Sequence, residues 1–166
     1  MGTVRIAPGD LSGLDALAVD SLALHLFAEK KQPRAVAGYV DWRMCGRLAR
    51  LLLEERFHGA IDETLLMPSG GRLGAERLFL IGLGDPVKGR FGIDDRVEQA
   101  AIVLADAGAK KVALGGASFV LEAWLAKAKP GVFDEVVLLD ADGALDGAEE
   151  ALEAAAKKAG FTWSPK

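Results

Sequence analysis

Apolar residues along this chain keep two different rhythms. In Ser21 to Phe27, Leu22, Leu24 and Leu26 fall on one pleat face and Ala23, His25 and Phe27 on the other. Both faces are largely apolar, so the spacing predicts a central strand covered on two sides. A shorter strand is predicted over Thr3 to Ala7, and Asp10 to Asp20 reads as a loop with a helical turn. After the polar turn from Glu29 to Pro33 the period changes: Met44, Leu48, Leu51 and Leu52 recur at helical spacing and predict one amphipathic helix over Ala37 to Glu55. Arg43, Arg47 and Arg50 lie on its other side.

Two strands follow closely, Glu63 to Met67 and Arg77 to Ile81, separated by the turn-rich Pro68 to Gly74. Such neighbours are expected to pair antiparallel. From there the chain alternates. A helix over Ile93 to Ala107 carries Asp94 and Asp95 in its first turn, where the helix dipole favours them, and Gly108 as its stop. A strand over Lys111 to Leu114, a helix over Phe119 to Lys129, a strand over Glu135 to Leu139 and a helix over Leu145 to Ala159 complete the series. Strands alternating with helices predict a mostly parallel sheet covered on both faces, and the early pair makes it mixed. With 166 residues, no internal repeat and no long polar linker, residues 1–166 are read as a single domain.

Composition narrows the function. Twenty Lys and Arg against 24 Asp and Glu give a net charge of -4, which argues against nucleic acid or an anionic membrane as partner. The N-terminus lacks the charged and apolar regions of a secretory signal, and charges interrupt every apolar stretch long enough to span a bilayer. Cys45 has no second cysteine to pair with. A cytoplasmic setting is the expectation. Charge is uneven: Asp134 to Glu153 contains eight acidic residues and no basic one, while Arg43 to Arg56 is rich in arginine. Each reads as a solvated helix face, or the two as complementary patches for self-association.

Glycine after a strand is where α/β folds place phosphates. Gly82, Gly84 and Asp85 after one strand, and Gly115, Gly116 and Ser118 after another, are therefore the candidate ligand-binding residues. Val87 stands where a dinucleotide fingerprint needs its third glycine, and neither loop carries the Gly-Lys-Ser/Thr of a Walker loop. No catalytic residue, metal site or cofactor is expected: His25 and His58 lie on different elements, and Cys45 sits mid-helix beside Met44, where a thiol is inert. His25 reads as a hydrogen-bonded core residue, His58 as a loop residue, and Trp42 and Trp124 as core anchors. Trp163 is either docked or open to a partner.

The order of Leu22-Ala23-Leu24, Asp41-Trp42-Arg43, Phe57-His58-Gly59, Glu63-Thr64-Leu65-Leu66, Pro68-Ser69-Gly70-Gly71-Arg72-Leu73 and Arg77 to Gly84 resembles the N-terminal domain of M17 leucyl aminopeptidases. The likeness weakens beyond Phe91 and is faint from Pro130. It implies a macro-domain-like, three-layer α/β/α sandwich. In full-length members this region precedes a catalytic domain that binds two metal ions and carries an Asn-Thr-Asp-Ala-Glu-Gly-Arg-Leu signature. This chain contains no asparagine, so none of those residues carries over. The resemblance thus implies a stand-alone, non-catalytic domain that works by protein association, with itself or with a separately encoded peptidase domain. The alternative it leaves open is a macro-domain-like module for a nucleotide or ADP-ribose-type ligand.

Overall fold

The computed structural model describes residues 2–28, 32–86 and 92–164. Glu29 to Lys31, Val87, Phe91 and Lys166 lie outside the described residues. The elements run β1 (Thr3–Pro8), α1 (Leu11–Ala16), β2 (Val19–Phe27), α2 (Val36–Arg43), α3 (Arg47–Leu53), β3 (Thr64–Pro68), β4 (Ala75–Gly84), α4 (Ile93–Asp106), β5 (Lys111–Gly115), α5 (Ser118–Lys127), β6 (Glu135–Asp140), α6 (Glu149–Ala159) and β7 (Thr162–Trp163). The strands form one sheet in the order β3-β4-β2-β5-β6-β1-β7. Every described pairing is parallel except β3 with β4.

Period-two alternation sends side chains to two separate cores. Leu22, Leu24, Leu78, Leu80, Val137 and Leu139 pack with Leu14, Val40 and Leu48 of α1 to α3. Ala23, Phe79, Ile81, Leu83, Val136 and Leu138 pack with Val97, Trp124 and Leu152 of α4 to α6. This is the three-layer sandwich expected, with the mixed sheet in the middle. Among the described residues no helix is long and apolar enough to cross a membrane.

The predicted helix over Ala37 to Glu55 is two helices. Cys45 (φ 56°) and Gly46 (φ 75°) take left-handed backbone, and the amides of Gly46 and Cys45 close onto the carbonyls of Asp41 and Trp42. That bond pair is a Schellman stop, which ends a helix whatever apolar spacing continues beyond it. The Asp41 carboxylate then accepts from the amides of Leu48 at 2.8 Å and Ala49 at 3.1 Å, capping the next helix from inside the previous one. Cys45 is consequently an exposed joint residue and not part of a helix interior.

Other boundaries differ for local reasons. Asp10 caps a true helix, α1, through the Gly13 amide. Strand β4 runs on through Gly82 and Gly84. Helix α6 starts at Glu149, because Asp142, Gly143 and Gly147 turn left-handed ahead of it. Trp42 is not a core anchor: it is 73% exposed, on the outer face of α2, whereas Trp124 is fully buried against Phe133 with ring centroids 5.1 Å apart. Trp163 is docked, in the short strand β7 beside β1.

Asp20 ties the amino ends of three strands together. Its carboxylate accepts from the amides of Lys111 at 2.7 Å and Lys110 at 2.9 Å, from the Ser21 hydroxyl at 2.6 Å and from Arg77 at 3.2 Å. Burial alone would raise its pKa, but these donors, Lys111 foremost, hold it below the ordinary carboxylate value.

Candidate ligand crevice

Strands β2 and β5 are parallel neighbours, yet the chain leaves them in opposite directions. From β2 it passes through α2 and α3 on one face towards β3 and β4; from β5 it passes through α5 on the other face towards β6. Carboxyl ends that diverge in this way leave a crevice between them, the usual place for a ligand in an open α/β sheet. Strand β5 stops at Gly115 opposite Leu24, while β2 continues to Phe27. The gap is a cavity of about 280 Å³, bounded by the end of β2, by residues 32–37, by Gly115 to Ala117 and by Ala144.

Its floor is made by missing side chains. A Cβ at Gly115 would stand 2.8 Å from Leu24 Cδ2 and 3.0 Å from Val36 Cγ1, so a side chain there would fill the junction of β2, β5 and α2. At Gly116 a Cβ would stand 3.4 Å from His25 Cβ, an ordinary contact.

Two helices begin at this crevice. Helix α5 starts at Ser118 after Ala117, and α2 starts at Val36 after Ala35; neither Ala117 nor Ala35 supplies a side-chain cap. Positive helix ends therefore meet the cavity from two sides, and the exposed Arg34 lines the same wall. Ala35 has φ 48° and ψ -130°, a backbone state costly for any residue with a Cβ.

His25 lines the crevice and is 6% exposed. Its Nδ1 lies 3.1 Å from the Gly115 carbonyl, which can only accept, so Nδ1 carries the proton. Nε2 is then an acceptor, buried and without a hydrogen-bond partner among the described residues. Burial pulls the imidazole pKa down to about 4, against the smaller upward pull of the Gly115 bond, so the ring is neutral at pH 7. Phe27 stacks on Phe119 beside it, centroids 6.2 Å apart.

An open groove of about 660 Å³ adjoins the crevice and shares Pro33, Arg34 and Ala35 with it. Its far side carries Tyr39, Trp42 and Asp142, with the Tyr39 hydroxyl donating to Asp142 Oδ1 at 2.8 Å.

Of the residues chosen from sequence, Gly115 and Gly116 line the crevice and Ser118 opens the helix at its edge. Gly82 and Gly84 sit inside β4, on the opposite side of β2. A Cβ at Gly82 would stand 2.0 Å from the Ala60 carbonyl oxygen and one at Gly84 2.5 Å from Ile61 Cγ1, so both are backed by the 59–61 loop. Asp85 follows them, away from the cavity lining. Arg34, Ala35 and Ala144 were not anticipated, and no motif in the sequence singles them out. No group of three or more His, Cys, Asp or Glu residues that could hold a metal occurs among the described residues.

The solved structures similar to this chain share its fold at low identity. A Trypanosoma brucei macrodomain in complex with ADP matches with TM-score 0.62 at 14% identity, over 93% of this chain and 68% of its own. The macro domain of ganglioside induced differentiation associated protein 2 gives 0.63 at 12%, over 93% and 84%. A tomato leucine aminopeptidase mutant gives 0.61 at 15%; the match covers 93% of this chain but only 36% of the tomato chain. No curated protein sequence matches. The model of the cytosol aminopeptidase family N-terminal domain does match, over residues 23–128. That stretch is more than half of the chain and holds the carboxyl end of β2, all of β4 and β5, and the Gly115-Gly116 floor: the chain belongs to the N-terminal domain family of the cytosol aminopeptidases.

Proposed function

We propose that this domain binds a phosphorylated ligand of the nucleoside diphosphate type and has no peptidase chemistry of its own. One observation carries the reading: two helix N-termini without side-chain caps and the side-chain-free Gly115-Gly116 backbone converge on one crevice, whose wall includes Arg34. Backbone amides and positive helix ends suit phosphate oxygens. At about 280 Å³ the crevice alone is small for a nucleotide, but the adjoining groove gives the rest of such a ligand a place beside Tyr39 and Trp42. The similar Trypanosoma brucei macrodomain was solved with ADP, which supports the choice of ligand class.

The test is thermal denaturation with ADP, ADP-ribose, adenosine and inorganic phosphate. A diphosphate present at about 100 times its Kd adds ~2.7 kcal/mol of stability, or roughly 5–10 °C in Tm for a chain of this size. Adenosine and phosphate should each give less. Replacing Gly116 by Val, which projects into the crevice without a backbone clash, should remove the shift while leaving the unliganded Tm close to wild type. No shift with any of the four ligands at millimolar concentration refutes the reading. Turnover of an amino-acyl anilide with added Mn²⁺ or Zn²⁺, surviving repurification, refutes the non-catalytic half.

A second reading, association with a protein partner, is favoured by Trp42 at 73% and Leu53 at 68% exposure on α2 and α3. Isolated large apolar side chains on a surface are ordinary, but two on adjoining helices suit a contact face. Trp42→Ala tests it, with an unchanged melting curve and weakened association as the expected result.

A further inference from the structure

Strand β3 is the last strand on its side of the sheet, so among the described residues one of its edges has no neighbour. Its register with β4 sets Leu65 opposite Leu80 and Met67 opposite Leu78. The flanking bonds run from the Gly82 amide to the Glu63 carbonyl and from the Ser69 amide to the Glu76 carbonyl. Antiparallel bonding alternates along a strand. Glu63, Leu65, Met67 and Ser69 therefore turn their backbone towards β4, and Thr64, Leu66 and Pro68 turn theirs to the open edge. All three outward residues are exposed, Leu66 at 52%. Proline has no amide hydrogen, so the edge offers two donors and three carbonyls.

We infer that this edge pairs with the same edge of a second copy, antiparallel, about a two-fold axis at Leu66. The donor pattern fits that arrangement. Each Leu66 amide meets the other copy's Leu66 carbonyl and each Thr64 amide meets the other copy's Pro68 carbonyl, which makes four bonds; the one gap is the Thr64 carbonyl, which faces the proline and is left to water. The charges fit as well: exposed Asp62 precedes β3 and exposed Arg72 follows it. Antiparallel pairing brings each Asp62 towards the other copy's Arg72, whereas a parallel alignment would set like charges together. The two Leu66 side chains meet across the axis, removing both from water. The inference is independent of the crevice and gives the association reading a surface distinct from Trp42.

Sedimentation equilibrium and amide hydrogen exchange, both run from about 1 μM to ~1 mM, test it. The mean mass should climb towards that of a dimer. The Thr64 and Leu66 amides should slow as concentration rises, while Leu65 and Met67 stay protected throughout. Leu66→Lys sets two like charges at the axis and should raise the dissociation constant at least about tenfold. Leu66→Pro deletes only an outward donor and should abolish pairing with the inner ladder intact. Should that variant fail to fold, Leu66→Lys and the exchange pattern still decide. A monomer across the whole range, a dimer whose Thr64 and Leu66 amides stay fast, or a dimer unaffected by Leu66→Lys would each overturn the inference.

Discussion

Asp20 offers the sharpest test of how the sheet is held. Replacing it by Ala leaves the amides of Lys110 and Lys111 without their acceptor and Arg77 without its carboxylate, at the point where β2, β4 and β5 begin. Hydrogen bonds to a charged group contribute about 1.5–3 kcal/mol each. The Asp20 side chain is 30% exposed, so water recovers part of that, and the low end for two amides gives a loss of about 3 kcal/mol. For a chain of this length that is a fall of roughly 6–12 °C in Tm at pH 7, read by circular dichroism or calorimetry. The pH dependence supplies a second constraint. The folded-state pKa of Asp20 is lowered, so its contribution is complete above the unfolded-state value and is lost as pH falls through the folded-state value. The gap between wild type and Asp20→Ala should therefore be full above about pH 5 and shrink below ~4. A variant melting within about 2 °C of wild type at pH 7, or a gap undiminished at pH 3, would refute the reasoning.

His25 titrates in a different window. Its folded-state pKa is about 4 against an unfolded value near 6.5, so the unfolded chain binds the proton first. Stability is complete above pH ~6.5 and falls by about 3 kcal/mol on reaching pH 4, and His25→Leu should flatten the profile there, as melts across that range will show. Gly74→Ala would place a Cβ 2.0 Å from the Leu17 carbonyl oxygen, backbone that cannot step aside, and should cost at least ~3 kcal/mol in urea denaturation. Cys45→Gly relieves left-handed backbone at φ 56° and exchanges an exposed Sγ contact from Arg72 for that relief. The expected outcome is a Tm equal to or a few degrees above wild type, about 0–1 kcal/mol.

Much of the architecture was legible because burial is periodic and periodicity is local. Leu78, Phe79, Leu80 and Ile81 fill both cores from one continuous apolar run, and Ser21 to Phe27, apolar on both faces, announced a central strand. The same local logic misled at Met44 to Leu52, where apolar spacing continued across a Cys45-Gly46 turn that spacing does not register. Trp42 reads as core in any composition-based argument; only the rotation of α2 against the sheet leaves it in water. The two-residue β7 was invisible, since its pairing with β1 spans almost the whole chain.

The residues alone dictated most of the segments that become strands or helices and which of their faces are apolar, because those depend on neighbours within a few positions. They also placed glycines at the carboxyl ends of two strands, although Gly82 and Gly84 prove to belong to β4 itself. Which of those glycines borders a cavity depended on strand order: Gly115 ends beside β2 where the chain departs in opposite directions, while Gly82 is backed by the 59–61 loop. The crossover that opens one site and closes the other is a long-range property, fixed when the sheet assembles and by no single stretch of sequence.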